Sequence, residues 1–470
     1  MTTPAAALQR WLPDIDSRAW IMMGLAALFA VLFLKDAPLP VPWLLAGAVV
    51  LAVVWRGQAE IPLYVLVAYL PFSKLLKGWL FGVDVTLVLL GWLLATHVVQ
   101  CRLQRRPLFR LTAFHIAAGL FIGLSVVSFL RTGRYGRWFM TDNAESFLWW
   151  ILPVLVGVVA SWVVQDRRTL YTVVTVLMVT VAIVALITVY EGWDLAGKSF
   201  NSSRAKSIAG QTNILGSFIT SYMFVFLGLF LMFPRRRMLG WGPLLAFFLC
   251  GRAIMFTFSR GAYLGLAAGG LAACWFRNKW LCLAAAAVGV LLIAQPAFLP
   301  AGVRYRLEMI TAGESHRSVE ASSAADATKH LEPSVTQRLD IWRGAVRMIQ
   351  THPWWGVGYG AFTQFIAHYT NGNVTGLNAH NTVLMIAAEN GVFAAAAFLS
   401  LLVIIFVSAG WLSGHAQDPL MRAIGIGVAA GVVGMLVANQ FTVCLRSQEV
   451  ASYFWILGGL MVPALALERR

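Results

Sequence analysis

The chain has 470 residues, of which 59% are apolar and 12% charged, with 29 Phe and 19 Trp. Soluble chains carry about 25% charged residues, so this composition excludes a soluble enzyme, a disordered tail and a disulfide scaffold, and it indicates a polytopic membrane protein. Lys and Arg number 36 against 20 Asp and Glu, a net charge of +16. In a membrane chain such an excess reports topology and lipid contact before nucleic acid.

Apolar runs lie near 20–34, 41–55, 61–75, 83–99, 111–129, 147–164, 170–190, 214–233, 241–257, 261–276 and 280–299, then near 380–409, 423–441 and 451–467. They are continuous rather than alternating, which indicates helices and not a barrel. The expected fold is an all-α polytopic membrane protein with about 12 (12–14) transmembrane helices. It is one integral membrane domain, with 1–300 supplying the N-terminal helices, 301–379 a long, partly helical outer loop, and 380–470 the C-terminal helices. Arg10 and Arg18 precede the first run without a small-residue cleavage site, as in an uncleaved first span. Lys and Arg in the short loops, among them Arg102, Arg105, Arg106, Arg167 and Arg168, place both termini in the cytoplasm and 301–379 outside. Within that loop, Leu339, Trp342, Ala345, Val346 and Ile349 recur at helical spacing, predicting an amphipathic helix near 335–350 on the membrane surface. His352-Pro353 ends it, and Gly356-Val357-Gly358-Tyr359-Gly360 forms a compact turn. The stretch 312–333 is rich in Ala, Ser and charge.

The outer segments are richer in Arg than positive-inside topology requires. Headgroup contacts account for many such side chains. A basic pocket for an anionic substrate accounts for them too, since guanidinium forks match phosphate oxygens. Arg204, followed by Lys206, Gly210 and Asn213, Arg260 within Ser259-Arg260-Gly261, and Arg338 on the loop helix all fall on that side. His380-Asn381 opens the run at 380–409. His380 is either a general base, kept neutral by the positive end of a helix, or half of a capping pair. Among the other histidines, His352, His316 and His330 compete weakly, and His368 is the stronger rival. Glu389 and Arg252 fall within apolar runs and are expected to face the bundle interior, each with a partner. Asp14 and Asp16 fit helix capping better than a metal-binding pair. The five cysteines are scattered packing residues, and no Walker A loop, HExxH or Cys/His cluster occurs. No metal, cofactor or nucleic acid is therefore expected.

Ser259-Arg260-Gly261-Ala262, Arg338 with Trp342, His352-Pro353-Trp354-Trp355-Gly356-Val357-Gly358-Tyr359-Gly360-Ala361-Phe362, Ala379-His380-Asn381 and Glu389-Asn390-Gly391 together resemble the O-antigen ligase/polymerase membrane family. The resemblance implies about twelve helices in the bacterial inner membrane. It also implies metal-independent, inverting glycosyl transfer on the periplasmic face, from a glycan on undecaprenyl pyrophosphate and without a nucleotide. In the ligase branch the acceptor is a sugar hydroxyl of lipid A–core. By position, Arg204 and Arg260 match arginines that hold the donor pyrophosphate, Arg338 matches a loop arginine, and His380 matches the essential His. Asn381, Glu389, Gly356 and Gly358 fall in supporting positions. An O-antigen polymerase or protein O-glycosyltransferase shares the chemistry and differs in acceptor. A non-catalytic polysaccharide transporter, the reading from another class, should carry charges near mid-membrane along a path rather than at one interface.

Overall fold

Several helices in this chain begin where the sequence supplies a cap. The computed structural model describes residues 51–73, 84–195, 204–233, 238–295, 297 and 333–469. Asp14, Asp16, the run near 20–34, most of that near 41–55, His316 and His330 lie outside the described residues. In chain order the helices are α1 (Glu60–Tyr69), α2 (Val85–Leu103), α3 (Ala113–Arg131), α4 (Arg137–Val163), α5 (Arg167–Asp194), α6 (Thr212–Tyr222), α7 (Phe224–Met232) and α8 (Gly242–Thr257). There follow α9 (Arg260–Arg277), α10 (Lys279–Ala294), α11 (Pro333–Thr351), α12 (Phe362–Tyr369), α13 (Thr382–Asn390), α14 (Val392–His415), α15 (Pro419–Ala438) and α16 (Gln448–Glu468). Asp84, Asp166, Ser259, Asn278, Asn381 and Asp418 each accept a backbone N–H in the first turn of the following helix. These side chains satisfy donors that would otherwise be orphaned at a helix start.

The protein is a multi-pass membrane protein, all-helical over the described residues. Eight described segments are long and apolar enough to cross a membrane: α2, Ala113–Tyr135, α4, α5, Thr212–Met232, α14, α15 and α16. The segments Glu60–Phe72, α8 and Lys279–Leu292 are apolar but shorter. At 1.5 Å per residue α8 reaches about 24 Å, less than a hydrocarbon core of about 30 Å. Large apolar side chains such as Leu186, Val290 and Val403 are exposed, as a lipid-facing perimeter requires.

Inside the bundle, small residues let backbones approach. A Cβ on Gly157 would overlap the Trp455 carbonyl, and one on Gly459 would overlap Gly157, so α4 and α16 meet backbone to backbone. At one end Arg167 pairs with Asp418 at 3.0 Å and Glu468 at 2.7 Å, tying the start of α5 to α15 and α16. The opposite end is capped by a second apolar cluster, in which Ile341, Ala345 and Met348 of α11 pack with Phe362, Ile366, Ala379 and Met385. Phe139 at the start of α4 and Val443 between α15 and α16 join it and fix the cap to the bundle.

Three expectations change. The buried stripe of α11 is Ile341, Ala345 and Met348, covered by protein, while Val346 is exposed, so the helix is not laid with its apolar face in lipid. Amphipathic spacing reports that a face is buried and does not say against what. The run at 380–409 is not one helix, because Gly391 at φ +88° separates α13 from α14. Arg252 faces outward from α8 with its guanidinium 4.0 Å from the Phe256 ring centroid, rather than into the bundle. It lies near the end of a short helix, where a long side chain reaches the interface.

Candidate functional site

The capped end of the bundle holds a cavity of about 230 Å³ whose wall includes Arg204, Arg260 and Arg338. They come from three separate segments. Arg204 precedes α6, Arg260 opens α9, and Arg338 lies in the first half of α11. The turn between α8 and α9 is tight: Phe258 takes a left-handed φ of 50°, and Ser259 then caps α9 by accepting the Ala262 N–H at 3.4 Å. Arg260 and Gly261 thus project from a helix N-terminus, which adds positive potential to the cavity. Arg204 donates from Nε to the Thr257 carbonyl at 3.1 Å and from a terminal nitrogen to Asn213 Oδ1 at 3.4 Å. Burial lowers its pKa; the phenol of Tyr263 opposes that, and the like charge of Arg260 adds to it. The Arg338 guanidinium lies 5.9 Å from the Phe441 ring centroid. Asn213, Phe441 and Thr442 complete the polar and aromatic part of the wall, which contains no carboxylate among the described residues. Three guanidinium groups gathered from separate segments suit a compact, multiply charged anion.

His380 is not itself part of the cavity wall, but it senses the charge of Arg338, which is, and its neighbours are bonded to the segment that lines it. Its backbone is left-handed at φ 48°, an uncommon state for a residue with a Cβ, and its neighbours clamp it there. The His380 N–H donates to Asn378 Oδ1 at 2.9 Å, and Trp342 Nε1 donates to the Ala379 carbonyl at 3.0 Å. Asn381 is the cap of α13, accepting the Leu384 N–H at 3.0 Å, and its amide donates to Gln440 Oε1 at 2.7 Å. Thr382 donates its hydroxyl to Asn439 Oδ1 at 2.8 Å. These bonds fix His380 to the 439–440 segment, whose neighbours Ala438, Phe441 and Thr442 line the cavity. Capping is therefore the work of Asn381. Among the described residues no side chain hydrogen-bonds the His380 ring. Burial, and then the charge of Arg338, hold the imidazole below its ordinary pKa, so it is neutral and able to accept a proton near neutral pH. His368 is exposed on α12 and does not line the cavity.

Glu389, Gly356 and Gly358 do not line it either. They form a separate joint, with Glu389 about 10 Å along α13 from its first residue by the rise per residue. Val357 and Gly358 donate their N–H groups to the Ala388 and Glu389 carbonyls, each at 2.9 Å, and Ser128 Oγ donates to the Glu389 carbonyl at 2.8 Å. A Cβ on Gly356 would overlap the Glu389 carbonyl, so only glycine lets the turn dock there. The Glu389 carboxylate is fully buried; it accepts the Phe362 N–H at 3.3 Å and pairs with Arg446. Arg446 also lies 4.7 Å from the Tyr359 ring centroid and 5.7 Å from that of Trp150. The expected partner of Glu389 is thus Arg446, which sequence reasoning did not single out. The available signal was a lone Arg in the short gap between the runs near 423–441 and 451–467, at the same end of the bundle. Asn439 and Gln440 gave no such signal.

Residues 245–399 match the family model described as O-antigen ligase. That match spans about a third of the chain and supports an O-antigen ligase-family protein. The match contains Arg260, Arg338, His380 and the Glu389 joint, whereas Arg204 and Arg446 reach the same end of the fold from outside it. No curated protein matches the chain significantly. The match, together with the apolar helices, implies a membrane enzyme of the ligase/polymerase type.

Proposed function

We propose that the protein is a periplasmic-face glycosyltransferase of the bacterial inner membrane that moves a glycan from undecaprenyl pyrophosphate to a sugar hydroxyl of lipid A–core. The observation that carries this reading is the cavity wall that gathers Arg204, Arg260 and Arg338, with a neutral His380 within the electrostatic reach of Arg338. The arginines hold the donor pyrophosphate. His380 takes the proton of the acceptor hydroxyl as its oxygen bonds to the anomeric carbon. The bond from that carbon to the phosphate oxygen breaks, and undecaprenyl pyrophosphate leaves with the electron pair. Single displacement inverts the anomeric centre. The arginines stabilise charge that grows on the leaving oxygen, work done by a metal ion in many soluble glycosyltransferases, so transfer should persist in EDTA.

The test is reconstitution of the purified protein with donor lipid, offering lipid A–core and the glycan itself as separate acceptors. Transfer to lipid A–core is the expected result, and elongation of the glycan alone would make the protein a polymerase. His380→Asn is the informative variant, because Asn tolerates the left-handed backbone that Ala resists. It should bind donor normally and transfer nothing. An active His380→Asn protein would end the general-base assignment and direct attention to His368.

A further inference from the structure

A second cationic cluster lies at the same end of the bundle, at the far end of α11 from Arg338. Arg131 ends α3, Arg134 follows in the turn before α4, and His352 comes directly after α11. The Arg131 guanidinium is 6.0 Å from the Trp355 ring centroid. Arg134 donates to the Val357 carbonyl at 2.7 Å and to the Tyr135 hydroxyl at 2.6 Å. His352 Nδ1 is within 3.0 Å of the Thr351 hydroxyl and 3.4 Å of the Tyr369 hydroxyl. Burial, and then the like charges of Arg134 and Arg131, lower the His352 pKa. Both arginines are exposed, and among the described residues neither forms an ion pair with a carboxylate. Trp138 and Trp354 stand exposed nearby at 60% and 58%, as amphipathic rings do at a membrane interface.

Cations that converge without a carboxylate fit an anion. The rise of α11 places about 20 Å between Arg338 and His352, so one pyrophosphate cannot serve both clusters. The donor carries its charge next to the reacting carbon, and that charge is accounted for by the arginine cavity. The second anion therefore belongs to the other substrate. We propose that Arg131 and Arg134 bind a phosphate group of the acceptor glycolipid, with the neighbouring tryptophans against its sugars and acyl chains. The site selects acceptors whose reacting hydroxyl lies several sugar units from a phosphate. This rests on the ligase reading above.

The test uses full-length protein in phosphatidylcholine nanodiscs, with binding read in the His380→Asn background so that no turnover is needed. Lipid A–core, its dephosphorylated form and phosphatidylglycerol are the three probes. The phosphorylated glycolipid should bind at least about tenfold more tightly than the dephosphorylated one, the effect of losing one charge-assisted contact. Arg131→Gln should weaken that preference and Arg131→Gln with Arg134→Gln should abolish it, with donor binding unchanged. Arg131→Lys should recover part of it. Arg134 also holds Val357, so the Arg131 variants, which disturb a ring contact and no backbone bond, keep the test readable if the double variant misfolds. Equal binding of the two glycolipid forms would overturn the proposal. So would displacement by phosphatidylglycerol as effective as by lipid A–core, which would make the cluster a general headgroup site. Discrimination that survives while the unsubstituted protein transfers nothing would count against the ligase reading alone.

Discussion

Removing the Glu389 carboxylate tests the joint between α13 and the glycine turn. Glu389 is fully buried and pairs with Arg446, whose side chain is 27% exposed, so the cation cannot simply turn into water. Breaking a buried pair from one side costs about 3–5 kcal/mol, and the partial exposure of Arg446 points to the lower end. Cooperative unfolding at about 2.1 cal/mol/K per residue converts this to a fall of about 3–5 °C in Tm for a chain of this length. Glu389→Gln still accepts the Phe362 N–H and loses only the charge, so it should fall less than Glu389→Ala. Arg446→Met leaves a carboxylate without its cation and should be at least as damaging. Combining Glu389→Gln with Arg446→Met should restore part of the loss, with a coupling of about 1–3 kcal/mol in a double-mutant cycle. Tryptophan fluorescence during thermal unfolding in detergent is the assay. Single variants within about 1 °C of the parent, or strictly additive losses, would refute the reasoning that the pair acts as a unit.

Three other outcomes follow from the geometry. The acid limb of kcat/KM should lie below the ordinary histidine value of about 6.5. Arg338→Gln removes a cation that repels protonation of His380, so it should move that limb to higher pH; a limb that stays in place would mean another group titrates. Gly391→Ala forces a side chain into a φ of +88° and against the Trp354 carbonyl. It should cost about 2–4 kcal/mol, seen as lower Tm and faster proteolysis near 353–360. Arg260→Ala should weaken donor-lipid binding by about 1.5–3 kcal/mol, with Arg260→Lys recovering part; unchanged binding would remove Arg260 from the pyrophosphate site.

The sequence alone determined the helical membrane class, because spans are written in uninterrupted apolar runs that need no partner to be recognised. It also marked Arg204, Arg260, Arg338 and His380, since charge and imidazole stand out against an apolar chain. Tertiary structure decided which of them meet. Arg204 reaches the cavity through backbone and amide contacts to Thr257 and Asn213, and Arg338 through the docking of α11 onto α12 and α13. Neither contact follows from local spacing. The sequence read His380-Asn381 as one unit, whereas the fold splits it, leaving the cap to Asn381 and holding His380 in a left-handed turn against the 439–440 segment. Arg446 became visible only as the charge that a fully buried Glu389 demands. Long-range pairings of this kind are set by which surfaces remain to be covered after each helix has formed, and periodicity along one segment carries no record of that choice.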